Sequence, residues 1–141
     1  MATRGIEDYL EAIYILLEER GYARVLDIAS RLGVKPPSVT EMLQKMSRRG
    51  LVVYERYRDV RLTSKGRKIA ETVVKRHRIL KEFLVLLGVD EEIAEEDACG
   101  MEHSIHLETA EKLTKFVEFI KSSPSSSKWL ADFRRKCGRE S

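Results

Sequence analysis

The chain has 141 residues, 43% of them hydrophobic, and a formal net charge of +3. That content suits a packed core and argues against wholesale disorder. No apolar run is long enough to cross a bilayer, and Glu7 and Asp8 stand where a secretory signal would have its apolar core. Two cysteines, Cys99 and Cys137, cannot make a disulfide framework; a reducing, cytoplasmic setting is expected.

The charge is unevenly divided. Residues 1–76 hold 16 Lys/Arg against 10 Asp/Glu, a net +6; residues 77–141 hold 10 against 13, a net −3. Ten acids and no Lys or Arg lie between Glu82 and Glu111. The first part should attract polyanions, and the second has a segment that should attract cations.

In chain order, Ile6, Leu10, Ile13 and Leu17 predict a helix over about 4–20, ended by Gly21. A short helix over about 26–32 follows, with Ile28, Ala29 and Leu32 inward and Gly33 after it. A third is expected over 36–49, its two prolines in the first turn, where a missing N–H costs little. Val39, Leu43 and Met46 form its apolar stripe. The period then changes: residues 51–63 (LVVYERYRDVRLT) predict a β-hairpin turning at Tyr57, Arg58 and Asp59. A long helix is expected over about 64–87, capped by Thr63–Ser64 and stopped by Gly88. Further helices are expected over about 90–105 and 107–121. Ser122–Ser127 reads as a linker or loop, and a short amphipathic helix with Trp129, Leu130 and Phe133 follows it.

Helix, helix, turn, helix and hairpin is the order of a winged helix-turn-helix domain. The fold class expected is mainly α: an N-terminal winged helix-turn-helix with a small hairpin wing, then an all-helical part. The boundary is placed at residues 71 and 72. On the third helix, Pro37, Ser38, Thr40, Glu41, Gln44 and Lys45 are left facing outward, where such side chains reach base edges and phosphates. Arg56, Arg58 and Arg61 put three guanidinium groups near the hairpin tip, suited to backbone phosphate. A basic hairpin by itself is usually a solvated edge. The ordered combination inside the basic part points to double-stranded DNA, with a protein-interaction module as the runner-up for that half.

Cys99, Glu102 and His103 stand at i, i+3 and i+4 of a predicted helix, so a thiolate, a carboxylate and an imidazole share one face. Asp8 and Glu11 are again i, i+3, and His77 lies mid-helix among Val73, Leu80 and Leu84. Taken singly, first-turn acids complement a helix dipole and a lone histidine is usually a core residue. The triplet is the stronger signal for a metal.

These residues carry a resemblance. Glu7-Asp8-Tyr9-Leu10-Glu11-Ala12-Ile13-Tyr14, Pro37-Ser38-Val39-Thr40, Leu62-Thr63-Ser64-Lys65-Gly66, Arg76-His77, Gly88-Val89-Asp90-Glu91-Glu92 and Cys99-x-x-Glu102-His103 together resemble the DtxR/MntR family of metal-dependent repressors, over roughly residues 5–120. The nearest branch is the two-domain manganese regulators, since no barrel-like third domain follows. The resemblance implies a homodimer built on the C-terminal helices. It also implies metal ligands at Asp8, Glu11, His77, Cys99, Glu102 and His103, for one or two ions per subunit. Glu11 and Glu102 would be the bridging carboxylates of an ion pair.

One position departs from each branch. The manganese pattern has Glu where this chain has Cys99; the iron pattern has Cys there but Met where this chain has Asp8. A hard and a soft ligand are mixed, so Mn²⁺ or Fe²⁺ is expected, with Co²⁺ and Zn²⁺ possible. Lys81 stands where the iron branch has an acidic ligand of a second site. The expected function is a repressor of metal-uptake genes that binds a palindromic operator when metal-loaded, with no organic cofactor and no membrane partner. A metal-independent architectural DNA binder is the alternative. A metalloenzyme is a weaker one, because no second cluster supplies a general acid or base.

Overall fold

The computed structural model describes residues 5–55 and 58–140, with side chains through 138. It divides into two compact units, parting between Val74 and Lys75.

The first unit begins with α1 (Ile6–Arg20). Gly5 is its N-cap and donates its N–H to Asp8 Oδ2 at 3.1 Å; Gly21 ends it in the left-handed region at φ 79°. Tyr9, Leu10, Ala12, Ile13 and Leu16 are buried, a wider stripe than the expected one, while Leu17 is only partly covered. α2 (Val25–Leu32) buries Ile28 and Ala29, and Gly33 closes it at φ 66°. α3 (Pro36–Arg48) has its prolines in the first two positions and buries Val39, Leu43 and Met46, as their spacing requires.

The wing pairs β1 (Val52–Val53) with β2 (Arg61–Leu62), antiparallel, Val52 opposite Leu62 and Val53 opposite Arg61. Tyr57, in the expected turn, lies outside the described residues. The strands are only two residues long, so much of the expected hairpin is irregular. Its return limb is nevertheless held: the Val60 N–H donates to the Ala23 carbonyl at 2.7 Å, and Arg24 Nε lies 3.3 Å from Asp59 Oδ1.

α4 (Ser64–Leu86) starts at the expected cap. Thr63 Oγ1 accepts the Gly66 N–H at 3.0 Å and donates to the Gly50 carbonyl at 2.6 Å, tying the helix start to the turn after α3. Gly66 is required there, because a Cβ would stand 2.0 Å from the Leu51 carbonyl oxygen.

In the second unit, α4 ends in a turn where the Val89 N–H returns to the Leu84 carbonyl at 3.0 Å and Gly88 takes φ 99°. Arg134 adds to that cap, donating from Nε to the Leu86 carbonyl at 3.1 Å. α5 (Glu91–Met101) is capped by Asp90, whose side chain accepts the Glu92 N–H. It stops four residues short of the expected Ile105. Glu102 is its C-cap, and the Ser104 N–H turns back to the Met101 carbonyl at 2.9 Å. His103 therefore lies in a turn, not on a helical face with Cys99.

α6 (Leu107–Ser122) and α7 (Ser126–Glu140) follow. Of the two readings, linker or loop, the serine-rich stretch takes the second, as a tight corner. Ser126 is buried, and its hydroxyl bonds to the carbonyls of Ile120 and Ser123. Ile79, Leu80, Ala94, Ala98, Val117 and Ile120 are the buried apolar residues of this unit, and Phe83 meets Phe116 edge-on at 6.1 Å. No helix among the described residues is long and apolar enough to cross a membrane.

Candidate functional site

α3 turns Pro37, Ser38, Glu41, Gln44 and Lys45 fully outward, with Thr40 half-covered and its hydroxyl bonded back to the Pro36 carbonyl at 3.3 Å. Burying Val39, Leu43 and Met46 leaves this face no other direction. On the wing, Arg58 is exposed and pairs loosely with Glu55 at 3.1 Å. Arg61 is exposed on β2 rather than at the tip. Arg56 lies outside the described residues. The exposed polar helix face and the two wing arginines make a surface suited to a polyanion.

The metal-site candidates fall in both units. Asp8 and Glu11 are one turn apart on α1 and half-buried. The geometry that identifies a site is in the second unit. Glu102, at the C-cap of α5, has a side chain with 0% exposure. His77, mid-α4, brings Nδ1 to 3.0 Å from Glu102 Oε2. His103 Nε2 lies 3.2 Å from Glu102 Oε1. Cys99 is half-buried on the last turn of α5. Arg76 donates from Nη1 to the backbone carbonyl of Glu102 at 2.8 Å and so holds the cap in place.

The electrostatics favour a cation. Glu102 Oε1 is buried and accepts no hydrogen bond among the described residues. A buried carboxylate oxygen left in that state is costly unless positive charge reaches it. The hydrogen bond to Glu102 raises His77 to about 9; burial opposes this, while Glu95 reinforces it. At neutral pH the metal-free ring is thus a cation held between two carboxylates. One carboxylate and two imidazoles are donors that first-row divalent metals accept. The residues present therefore fit a metal ion.

The sequence reading missed Glu95. It sits on α5 with Oε2 at 2.8 Å from His77 Nε2, on the edge of the ring opposite Glu102. Lys81, one turn after His77 on α4, brings Nζ to 3.6 Å from both Glu95 and Glu91. Burial pushes the Glu95 carboxyl up, but the His77 hydrogen bond and the charges of His77 and Lys81 prevail and hold it below its usual range. Spacing contained the signal: Glu95, Cys99 and Glu102 are i, i+4 and i+7.

Comparison with known proteins identifies the two parts of the chain. Residues 1–60 match the N-terminal DNA binding domain of iron dependent repressors, and residues 63–131 match their metal binding and dimerisation domain. The chain is 43% identical over 136 residues to the HTH-type transcriptional regulator MntR of Bacillus subtilis (strain 168), covering 96% of each chain. It is equally identical, with equal coverage, to the MntR of Geobacillus kaustophilus (strain HTA426). Among solved structures it is similar to the manganese regulator SloR, with a TM-score of 0.72 and 31% identity over 83% of this chain. It is also similar to T. acidophilum IdeR, with a TM-score of 0.73 and 28% identity over 82% of this chain. It spans 55% of each of those two chains. The chain belongs to the iron dependent repressor family: it is a dimerising, metal-responsive, DNA-binding transcriptional regulator and not an enzyme.

Proposed function

We propose that this regulator represses metal-uptake genes in the cytoplasm, binding a palindromic operator when loaded with Mn²⁺. Residues 1–71 act as the DNA-binding domain and residues 72–141 as the metal-binding and dimerisation domain. The observation that carries the metal centre is Glu102: a fully buried carboxylate between His77 and His103, with one oxygen that accepts no hydrogen bond among the described residues. Asp8, Glu11, His77, Cys99, Glu102 and His103 form the ligand set, the first two by family resemblance and by their i, i+3 spacing. Relatives named for manganese support Mn²⁺ as the effector. The half-buried thiol of Cys99 favours Fe²⁺ as the competing effector, with Co²⁺ and Zn²⁺ behind it.

Bound, the cation supplies positive charge that offsets the clustered carboxylates. The chain's own residues do the rest. Asp8 and Glu11 belong to the helix that packs against α2, whereas His77, Glu102 and His103 belong to the dimerising unit. Ligation by residues of both units would restrict the orientations open to them and would favour a spacing of the two α3 helices of a dimer that suits successive major grooves. On α3, Pro37, Ser38, Thr40, Glu41, Gln44 and Lys45 meet base edges and phosphates; on the wing, Arg56, Arg58 and Arg61 meet the backbone. A coupling of about 1–3 kcal/mol changes operator affinity about 5- to 150-fold. The test is operator binding titrated anaerobically with Mn²⁺, Fe²⁺, Co²⁺ and Zn²⁺ in turn, with ions per subunit measured alongside. Mn²⁺ is expected to give the largest gain; equal affinity with and without every metal would overturn the mechanism.

A further inference from the structure

We propose that Glu95, held in turn by Lys81, is the positioning residue for His77: its carboxylate takes the Nε2–H and so presents Nδ1, the nitrogen beside Glu102, as the metal donor. The inference rests on the ligand set proposed above and adds to it two residues that touch no metal.

The two nitrogens of an imidazole lie on different edges of the ring, so a ring that binds metal through one keeps its N–H on the other. Which nitrogen binds is decided by the hydrogen bond made by its opposite. Here both edges are taken by named partners. Nε2 lies 2.8 Å from Glu95 Oε2, and Nδ1 lies 3.0 Å from Glu102 Oε2. Glu102 is fully buried, whereas Glu95 is about half exposed. The two carboxylates are therefore not equivalent: one belongs to the buried centre, and the other closes the ring from the solvent side.

Glu95 is itself steadied. Lys81 Nζ stands 3.6 Å from Glu95 Oε2 and 3.6 Å from Glu91 Oε1, and its side chain is 31% exposed. The ammonium offsets the Glu95 charge, so orienting the ring adds no net negative charge to the acidic segment. Lys81 follows His77 by four residues on α4, while Glu95, on α5, precedes the C-cap Glu102 by seven. One chain of contacts, Glu91–Lys81–Glu95–His77–Glu102, links the two helices. A carboxylate on a metal-binding histidine raises its donor strength and fixes its tautomer, and losing such a partner typically costs 10- to 100-fold in metal affinity.

The test uses the full-length protein as wild type, Glu95→Ala, Glu95→Gln and His77→Ala. Mn²⁺ affinity is read by competition with a fluorescent chelator. The protonated nitrogen of His77 is read from ring ¹⁵N shifts of the Zn²⁺-loaded protein. In the wild type, Nε2 is expected to carry the proton. Glu95→Ala is expected to weaken Mn²⁺ binding about 10- to 100-fold and to blur the single tautomer. Glu95→Gln, whose amide oxygen still accepts the Nε2–H, is expected to recover most of the affinity and keep the tautomer. Wild-type affinity in Glu95→Ala, or equal losses in both Glu95 variants with the tautomer unchanged, overturns the positioning role. Wild-type affinity in His77→Ala overturns the ligand set instead, so the two failures are distinguishable.

Discussion

His77 Nδ1 lies 3.0 Å from Glu102 Oε2, and Glu102 has no exposure to solvent. A proton therefore stands between them in the metal-free protein, and under the proposed ligand set this pair couples pH, stability and metal affinity.

The pH dependence follows from His77, raised from its ordinary 6.5 to about 9 chiefly by the Glu102 hydrogen bond. A raised histidine stabilises the fold fully below its unfolded value and loses that contribution as pH rises through its folded value. Chelator-treated wild type should thus lose stability relative to His77→Gln between about pH 6.5 and 9, measured by thermal unfolding. Mn²⁺ affinity should rise over the same window, because ligation must displace the Nδ1 proton. A flat stability difference over that range would contradict the assignment.

Glu102→Gln keeps the shape of the buried side chain and removes its charge. The metal-free protein is expected to stay folded, since one buried oxygen then needs no cation. Mn²⁺ affinity is expected to fall more than about 100-fold, beyond the loss typical of an outer partner. Circular dichroism and a metal titration on the same sample separate the two effects.

Gly66→Ala tests the junction of wing and helix. The added Cβ would stand 2.0 Å from the Leu51 carbonyl oxygen, and backbone must move to admit it. A loss of at least about 1–3 kcal/mol is expected, visible as a lower Tm. An unchanged Tm would mean that this close approach is absent in solution.

On the DNA side, Arg61→Ala should weaken cognate and random duplexes alike and reduce the salt slope by about 1. Gln44→Ala, on the exposed face of α3, should spare random DNA and cost about 1–3 kcal/mol on the operator. Fluorescence anisotropy at two salt concentrations distinguishes them. If Gln44→Ala weakened both duplexes equally, that side chain would be a phosphate contact and not a reader of sequence.

The sequence by itself determined the helices and their order, because those depend on local spacing. Apolar residues at three- and four-residue intervals place α1 to α4 within about two residues of expectation, and Gly21, Gly33 and Gly88 end their helices in left-handed conformations. It also offered Cys99, Glu102 and His103 as candidates through local spacing, whereas His77 joined them only through the family resemblance. Tertiary structure decided what depends on distant partners. α5 ends at Met101, with Arg76, 26 residues away in sequence, bonded to the Glu102 carbonyl just beyond it. The serine-rich stretch is a corner because the Ser126 hydroxyl finds the Ile120 carbonyl. Glu95 and Lys81 gain partners only where α4 and α5 meet; there one ring nitrogen of His77 faces each carboxylate. Hydrogen bonds between helices cannot be read from periodicity, and they are what give the histidine its orientation.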